Sequence, residues 1–322
     1  MEVSVVVAGR PGRPPDEDLH TAALADRLGY GELWIGDGFV WDAFTLGAAI
    51  GLATDQIAMT VGPIPVTVRD PATITRATAS LAALARRPVG VAIGTSSVRV
   101  VERMHGRSRR RPATALAESA RAVRTLLDGD RTDIDGEIVS AHYELRLPPP
   151  GKPPGGALTV AAFGDRAISV AAEQADRMVL DLVSPALARE FRAKLDAAAK
   201  RAGRPAPRLA AWIPAAVDPD PDSYAQIMWS LVGYLEVAGY GEMFTAAGFG
   251  KAVELAAAGA DAKELLTALP LAAAREVGLV GDAKAVRARL ADYADAGLDE
   301  IAIVPATAGD PGGERTLTAL AP

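Results

Sequence analysis

The chain has 322 residues, 49% of them hydrophobic and 23% charged, with 34 basic against 40 acidic side chains and a net charge of −6. It contains no cysteine, no asparagine and only three histidines (His20, His105 and His142), which excludes thiol nucleophiles, disulfide frameworks, cysteine–zinc or iron–sulfur sites and N-glycosylation. A mildly acidic chain is a poor partner for nucleic acid or anionic membranes, and no apolar run reaches the roughly 18 residues of a span. The expectation is therefore a cytoplasmic protein without a metal centre, which leaves difficult chemistry to something it binds.

In chain order, short β-branched runs alternate with longer Ala/Leu/Arg stretches. Val3–Val7 reads as a strand, and Asp16–Leu28 as a helix that stops at Gly29. Glu32–Ile35 is the second strand, followed by a helix near Ala43–Ala53. Gln56–Ile64 is the third, and Pro71 opens a helix to Leu84, since proline is tolerated in a first turn. Val89–Ile93 is the fourth, with a helix over Pro112–Leu127. Leu158–Ala161, Met178–Leu180, Leu209–Val217 and Ile301–Val304 supply four more strands.

Eight strands separated by helices, with no hairpin signal between them, predict a (β/α)8 TIM barrel. Two segments break the repeat. Residues 131–154 are rich in Asp, Gly and Pro and read as an excursion. Residues 224–271 carry aromatic residues at helical spacing and read as a helical insertion before the last strand, because structureless loops of that length are rare. No stretch has the composition of a linker, so residues 1–322 are expected to form one domain.

In such a barrel the site lies at the C-terminal ends of the strands. Gly94, Thr95, Ser96 and Ser97 end the fourth strand, and Ala162, Phe163, Gly164, Asp165 and Arg166 lead from the fifth into a helix. Both resemble anion cradles, where glycines and free N–H groups approach phosphate oxygens; the competing reading makes their hydroxyls and carboxylate helix caps. Asp37, between two glycines after the second strand, and His105 are the candidate acid–base residues, with Asp42 and Ser96 behind them. A Ser96/Ser97–His105 hydrolase dyad lacks the Gly-x-Ser-x-Gly elbow. Proline at position 63 argues for a bulge in the third strand.

These residues carry a resemblance to the bacterial luciferase-like monooxygenase superfamily, in particular its branch that uses the deazaflavin coenzyme F420. Gly29-Tyr30-Gly31-Glu32-Leu33-Trp34-Ile35-Gly36-Asp37 is similar to the family's second-strand motif, and Arg69-Asp70-Pro71 resembles its Arg-His-Pro element. Val89–Gly94, Val100–Gly106, Arg111-Pro112, Glu118 and Leu126–Gly129 follow in the family's order. Ala161–Gly164 and Gly278–Pro305 complete it.

The resemblance implies an oxidoreductase with F420, or alternatively FMN, across the barrel mouth, acting on a small organic molecule as a homodimer. It places Asp37 and the Val61–Gly62–Pro63 bulge against the ring system, with a cis peptide at either Val61–Gly62 or Gly62–Pro63. It places Gly94–Ser97 and Ala162–Arg166 on the phosphate-bearing tail, and a substrate pocket among Trp41, Phe44, Tyr234 and Tyr240. Two departures stand out: Gly38 replaces a histidine common in relatives, and Asp165 replaces a proline. A flavin or deazaflavin carrier without catalysis is the alternative of a different class.

Overall fold

The computed structural model describes residues 1–237 and 239–322, so position 238 of the expected 224–271 insertion lies outside the described residues. Eight parallel strands close into a barrel: Glu2–Val7, Glu32–Ile35, Ala58–Pro65, Val89–Gly94, Leu158–Ala161, Arg177–Asp181, Arg208–Val217 and Glu300–Pro305. Each pairs with the next, and the eighth returns to the first through Glu2↔Glu300 to Val5↔Ile303. All eight coincide with the runs read from the sequence, and helices Pro15–Arg27, Ala43–Ala53, Pro71–Ala85 and Pro112–Leu127 follow the first four.

Strand periodicity of two divides these residues between two cores. Val5, Val7, Leu33, Ile35, Met59, Val91, Ile93, Ile301 and Ile303 face outward and pack against the helices. The alternate residues Val6, Trp34, Ala92, Val179, Ala210 and Ala302 form a separate cluster inside the barrel. Bulky branched residues therefore fill the strand–helix layer, while mostly small ones let the barrel interior close around Trp34 and Trp212, whose rings meet edge to face at 5.7 Å.

At the N-terminal end of this interior, Arg177 is fully buried beneath the Trp34 ring, 3.9 Å from its centroid. Its Nη1 donates to Glu32 (2.8 Å) and Glu300 (2.6 Å), its Nη2 to Glu32 (3.0 Å) and Thr60 (3.1 Å), and its Nε to Thr159 (3.1 Å). Those contacts engage all five guanidinium donors. Glu300 also accepts from Ser4 (2.6 Å) and Trp34 Nε1 (2.9 Å). Burial by itself lifts the Glu300 pKa; Arg177 and the hydrogen bonds outweigh it and hold the carboxyl below its ordinary range. The guanidinium lies so close to Gly155 that any Cβ at that position would collide with it.

Two segments interrupt the strand–helix repeat. The excursion contains an antiparallel hairpin, Thr132–Asp135 with Ser140–Tyr143, which the sequence reading did not resolve. Glu118, on the fourth helix, ties its turn down by accepting from the backbone N–H groups of Glu137 (2.7 Å), Ile138 (2.9 Å) and Val139 (2.8 Å). The later insertion is helical as expected, running through Pro221–Val232, Tyr240–Phe244, Gly250–Ala257, Ala262–Ala268 and Ala272–Glu276. It builds its own apolar cluster over the barrel's C-terminal end around Leu231, Phe244, Ala273 and Val277. A short strand, Leu279–Gly281, then flanks the seventh barrel strand. Among the described residues no helix is long and apolar enough to cross a membrane.

The third strand is irregular where proline was expected to disturb it. Its register with the fourth strand slips between Val61 and Ile64, and of the two expected bonds the cis peptide is Gly62–Pro63. Gly62 has φ +117°, and a Cβ there would collide with the Ala92 carbonyl oxygen. Gly62→Ala is accordingly expected to cost about 2–4 kcal/mol through strain and overpacking together; urea denaturation of the variant checks this.

Candidate active site at the barrel mouth

Three groups of side chains surround the C-terminal ends of the strands. The first follows the second and third strands. Asp42 caps the helix Ala43–Ala53 by accepting from Thr45 N (2.8 Å), as Asp70 caps Pro71–Ala85 through Thr73 N (2.9 Å). The capping leaves Arg69 between two carboxylates, paired with Asp42 and 3.8 Å from Asp37. The guanidinium also lies over the Phe44 ring, 5.4 Å from its centroid.

The two acids are driven apart. Burial raises the Asp37 pKa, opposed by Arg69, by the Ala43 N–H and by the charge of His105 when protonated. Burial also acts on Asp42, but its hydrogen bonds from Arg69 and Thr45 prevail and lower it. Neighbouring carboxyls tuned in opposite directions are the pattern of one acid and one counter-ion. Gly38 sits so close to the first strand that a Cβ would lie 3.1 Å from the Ala8 carbonyl oxygen. A side chain at position 38 would need that contact to give by a few tenths of an ångström.

The second group lies after the fourth strand. Ser97 Oγ accepts from Val100 N (3.3 Å) and so acts as a cap, the structural alternative weighed for this hydroxyl. Arg109 holds the loop from the other side, donating to the Ser96 carbonyl (2.9 Å) and to Thr95 Oγ1 (3.4 Å). His105 is exposed just beyond the π-helical turn Arg99–Met104. Among the described residues its ring bonds neither Ser96 nor Ser97, so no hydrolase dyad forms.

The third group joins the fifth and sixth strands to the insertion. Gly164 precedes the ten-residue helix Asp165–Gln174, whose N-terminus has no side-chain cap. Asp165, 84% exposed, turns outward to Lys194 (3.1 Å) instead of covering the helix end. The backbone N–H groups there keep their attraction for an anion despite the carboxylate in the sequence. Arg166 is exposed beside them and Ala162 is buried.

Phe163 stacks on Tyr240 at 4.4 Å and meets Phe191 at 4.7 Å, while Tyr240 contacts Tyr234 edge-on at 5.0 Å. The Tyr234 hydroxyl donates to Asp181 Oδ2 at 2.5 Å. Burial lifts the Asp181 carboxyl to about 6, with the tyrosine hydrogen bond as its opposing influence.

The four aromatic residues expected to form one pocket are thus two pairs. Trp41 and Phe44 stand by the second strand, whereas Tyr234 and Tyr240 stand by the sixth, on the opposite side of an eight-stranded barrel. Val61 is fully buried in the outer core and offers the mouth only backbone. The enclosed indole N–H groups of Trp41 and Trp212 have no hydrogen-bond partner among the described residues. Asp181 escaped notice as an acid in the sequence. Its signal was Arg177-x-Val179-x-Asp181, which puts all three on one strand face.

Comparison with known proteins agrees with this architecture. The family model for luciferase-like monooxygenases matches residues 1–300. Among solved structures, the coenzyme F420-dependent tetrahydromethanopterin reductase from Methanopyrus kandleri is similar at a TM-score of 0.82 and 17% identity, covering 100% of this chain and 98% of that one. An F420-dependent secondary alcohol dehydrogenase, in complex with an F420–acetone adduct, gives 0.78 and 18%, with 99% and 98% covered. The FMN-bound oxygenating constituent of 3,6-diketocamphane monooxygenase from Pseudomonas putida gives 0.71 and 19%, with 100% and 97% covered. With the match spanning nearly the whole barrel and its insertion, the chain belongs to the luciferase-like monooxygenase family.

Proposed function

We propose that this protein is an F420-dependent oxidoreductase that passes hydride between the deazaflavin and a small organic substrate. The observation that carries the reading is the composition of the mouth. An uncapped helix N-terminus at Gly164–Asp165 stands on one side, and carboxyls with raised pKa values, Asp37 and Asp181, stand above an interior of small residues and indoles. That donor set fits an anionic, ring-bearing cofactor: free N–H groups for phosphate, unpartnered indole N–H groups and apolar walls for the ring. Of the similar structures quoted, the two F420-dependent enzymes have higher TM-scores than the FMN-bound one.

In this reading the Phe163–Arg166 turn and the Thr95–Ser96 backbone hold the tail. Asp37, steadied by Arg69, and the Val61–Pro63 bulge border the ring. Trp41 and Phe44 wall one side of the substrate space, and Tyr234 and Tyr240 the other. The cofactor supplies the hydride chemistry; the chain orients the reacting carbon, excludes water and handles the proton. A cytoplasmic homodimer accompanies the same proposal.

Stopped-flow oxidation of the reduced F420 complex by a panel of ketones, enones and imines tests catalysis. Substrate-dependent acceleration is the expected result. A rate indifferent to every compound, with F420 still bound, supports the carrier alternative instead.

A further inference from the structure

The sixth strand places three side chains on the barrel's inner face at alternate positions: Arg177 at the closed end, Val179 in the middle and Asp181 at the mouth. Asp181 is in register with Trp212 of the seventh strand, so the acid stands beside an indole at the top of a packed interior. One of its oxygens, Oδ2, is taken by the Tyr234 hydroxyl at 2.5 Å. The other accepts from no described residue, yet is not sealed in as a buried unsatisfied atom.

The surroundings keep this acid apart from any cation. From the insertion, Tyr234 and Tyr240 face it; both phenols are held protonated, Tyr234 first by the charge of Asp181 and Tyr240 first by burial. From the fifth strand end Phe163 packs behind the tyrosines. Lys194, on the next helix, is turned outward to Asp165. Asp37 has Arg69 within 3.8 Å, whereas Asp181 has no cation within ion-pairing distance among the described residues. A carboxyl in a mostly apolar site, aligned by one hydrogen bond and with one free oxygen, has the geometry of a proton-transfer group.

We infer that Asp181, held in place by Tyr234, moves the proton to or from the oxygen of a small carbonyl or hydroxyl compound bound against the Phe163–Tyr240 wall. The inference rests on the oxidoreductase reading above. In the reducing direction the carbonyl carbon gains hydride from the reduced deazaflavin, and the C=O π pair moves to oxygen. That oxygen takes the proton from Asp181, and the resulting carboxylate keeps the Tyr234 hydrogen bond until solvent reprotonates it. In the oxidising direction the carboxylate takes the hydroxyl proton as hydride leaves carbon for the oxidised cofactor. Asp181 is the catalytic residue of this step and Tyr234 its positioning residue.

The test pairs a titration with kinetics. Carbon-detected NMR of aspartate-labelled protein, with Asp181→Asn to assign the signal, should give a carboxyl midpoint near pH 6. Tyr234→Phe removes the bond that favours the ionised form, so its midpoint should move upward. In F420-linked turnover, Asp181→Asn should lower kcat by about 100- to 10,000-fold with F420 affinity unchanged. The pH-profile limb near 6 should vanish in that variant and move upward in Tyr234→Phe.

An ordinary carboxylate midpoint, a midpoint indifferent to Tyr234→Phe, or near wild-type turnover in Asp181→Asn overturns the inference while leaving the oxidoreductase reading intact. Wild-type protein that binds neither F420 nor FMN overturns both, and the binding measurement tells the two failures apart.

Discussion

Arg177→Met is expected to destabilise the protein by about 3–5 kcal/mol, the cost of removing one partner from a buried ionic cluster. The substitution leaves Glu32 and Glu300 facing each other in the barrel's closed end without the cation that bridges them. It also orphans the Thr159 hydroxyl, which accepts from the guanidinium, while Thr60 keeps only its bond to Glu32. Urea denaturation followed by circular dichroism measures the loss. A companion triple variant, Arg177→Met with Glu32→Gln and Glu300→Gln, should recover much of it, because no lone charge then remains inside. Equal instability in both variants would mean that shape, rather than charge pairing, makes the cluster necessary.

Asp181→Asn is expected to do the opposite and stabilise the protein near neutral pH, by about 1–3 kcal/mol for a shift of roughly two pKa units in a partly buried group. The sign follows from proton linkage. Burial raises the folded-state pKa of Asp181 from about 4 to about 6, so the folded protein binds this proton more tightly than the unfolded chain. The wild-type protein therefore loses stability through this group as pH rises from about 4 to about 6, and little further above that. The asparagine variant carries no such dependence, so the difference should be small below pH 4, grow through the window and level off near neutrality. Denaturation midpoints measured between pH 4 and 8 check it. A protein more stable without an ionisable group at its mouth, and less active, shows stability given up for function.

The barrel was legible because each strand is a short apolar run set between longer helical stretches. Val5-x-Val7, Leu33-x-Ile35, Val91-x-Ile93 and Ile301-x-Ile303 are outward pairs, and Val6, Trp34, Ala92 and Ala302 are their inward alternates. Proline and aspartate at helix starts, as in Asp70-Pro71, marked boundaries through local chemistry alone. The hairpin at Thr132–Tyr143 was not legible, because its strands are four residues each and mostly polar. Its order comes from Glu118, on another element.

The same reason hid the charged interior. Glu32, Arg177 and Glu300 each begin a strand and look like ordinary flanking charges; only closure of the barrel brings positions 145 and 123 residues apart into hydrogen-bond contact. Asp181 and Tyr234, 53 residues apart, likewise meet because the insertion folds back over the sixth strand. The phosphate cradles were legible as glycine- and hydroxyl-rich turns. Which atoms stay free was not: Ser97 is occupied as a cap, while Asp165 turns away and leaves the helix end open.

The barrel mouth is proposed to take a deazaflavin, and a paired fluorescence titration of the purified protein with F420 and with FMN checks this. F420 is expected to saturate with micromolar or tighter affinity, corresponding to about −8 kcal/mol or better, and FMN to bind more weakly. Tight FMN binding with no response to F420 would contradict the claim.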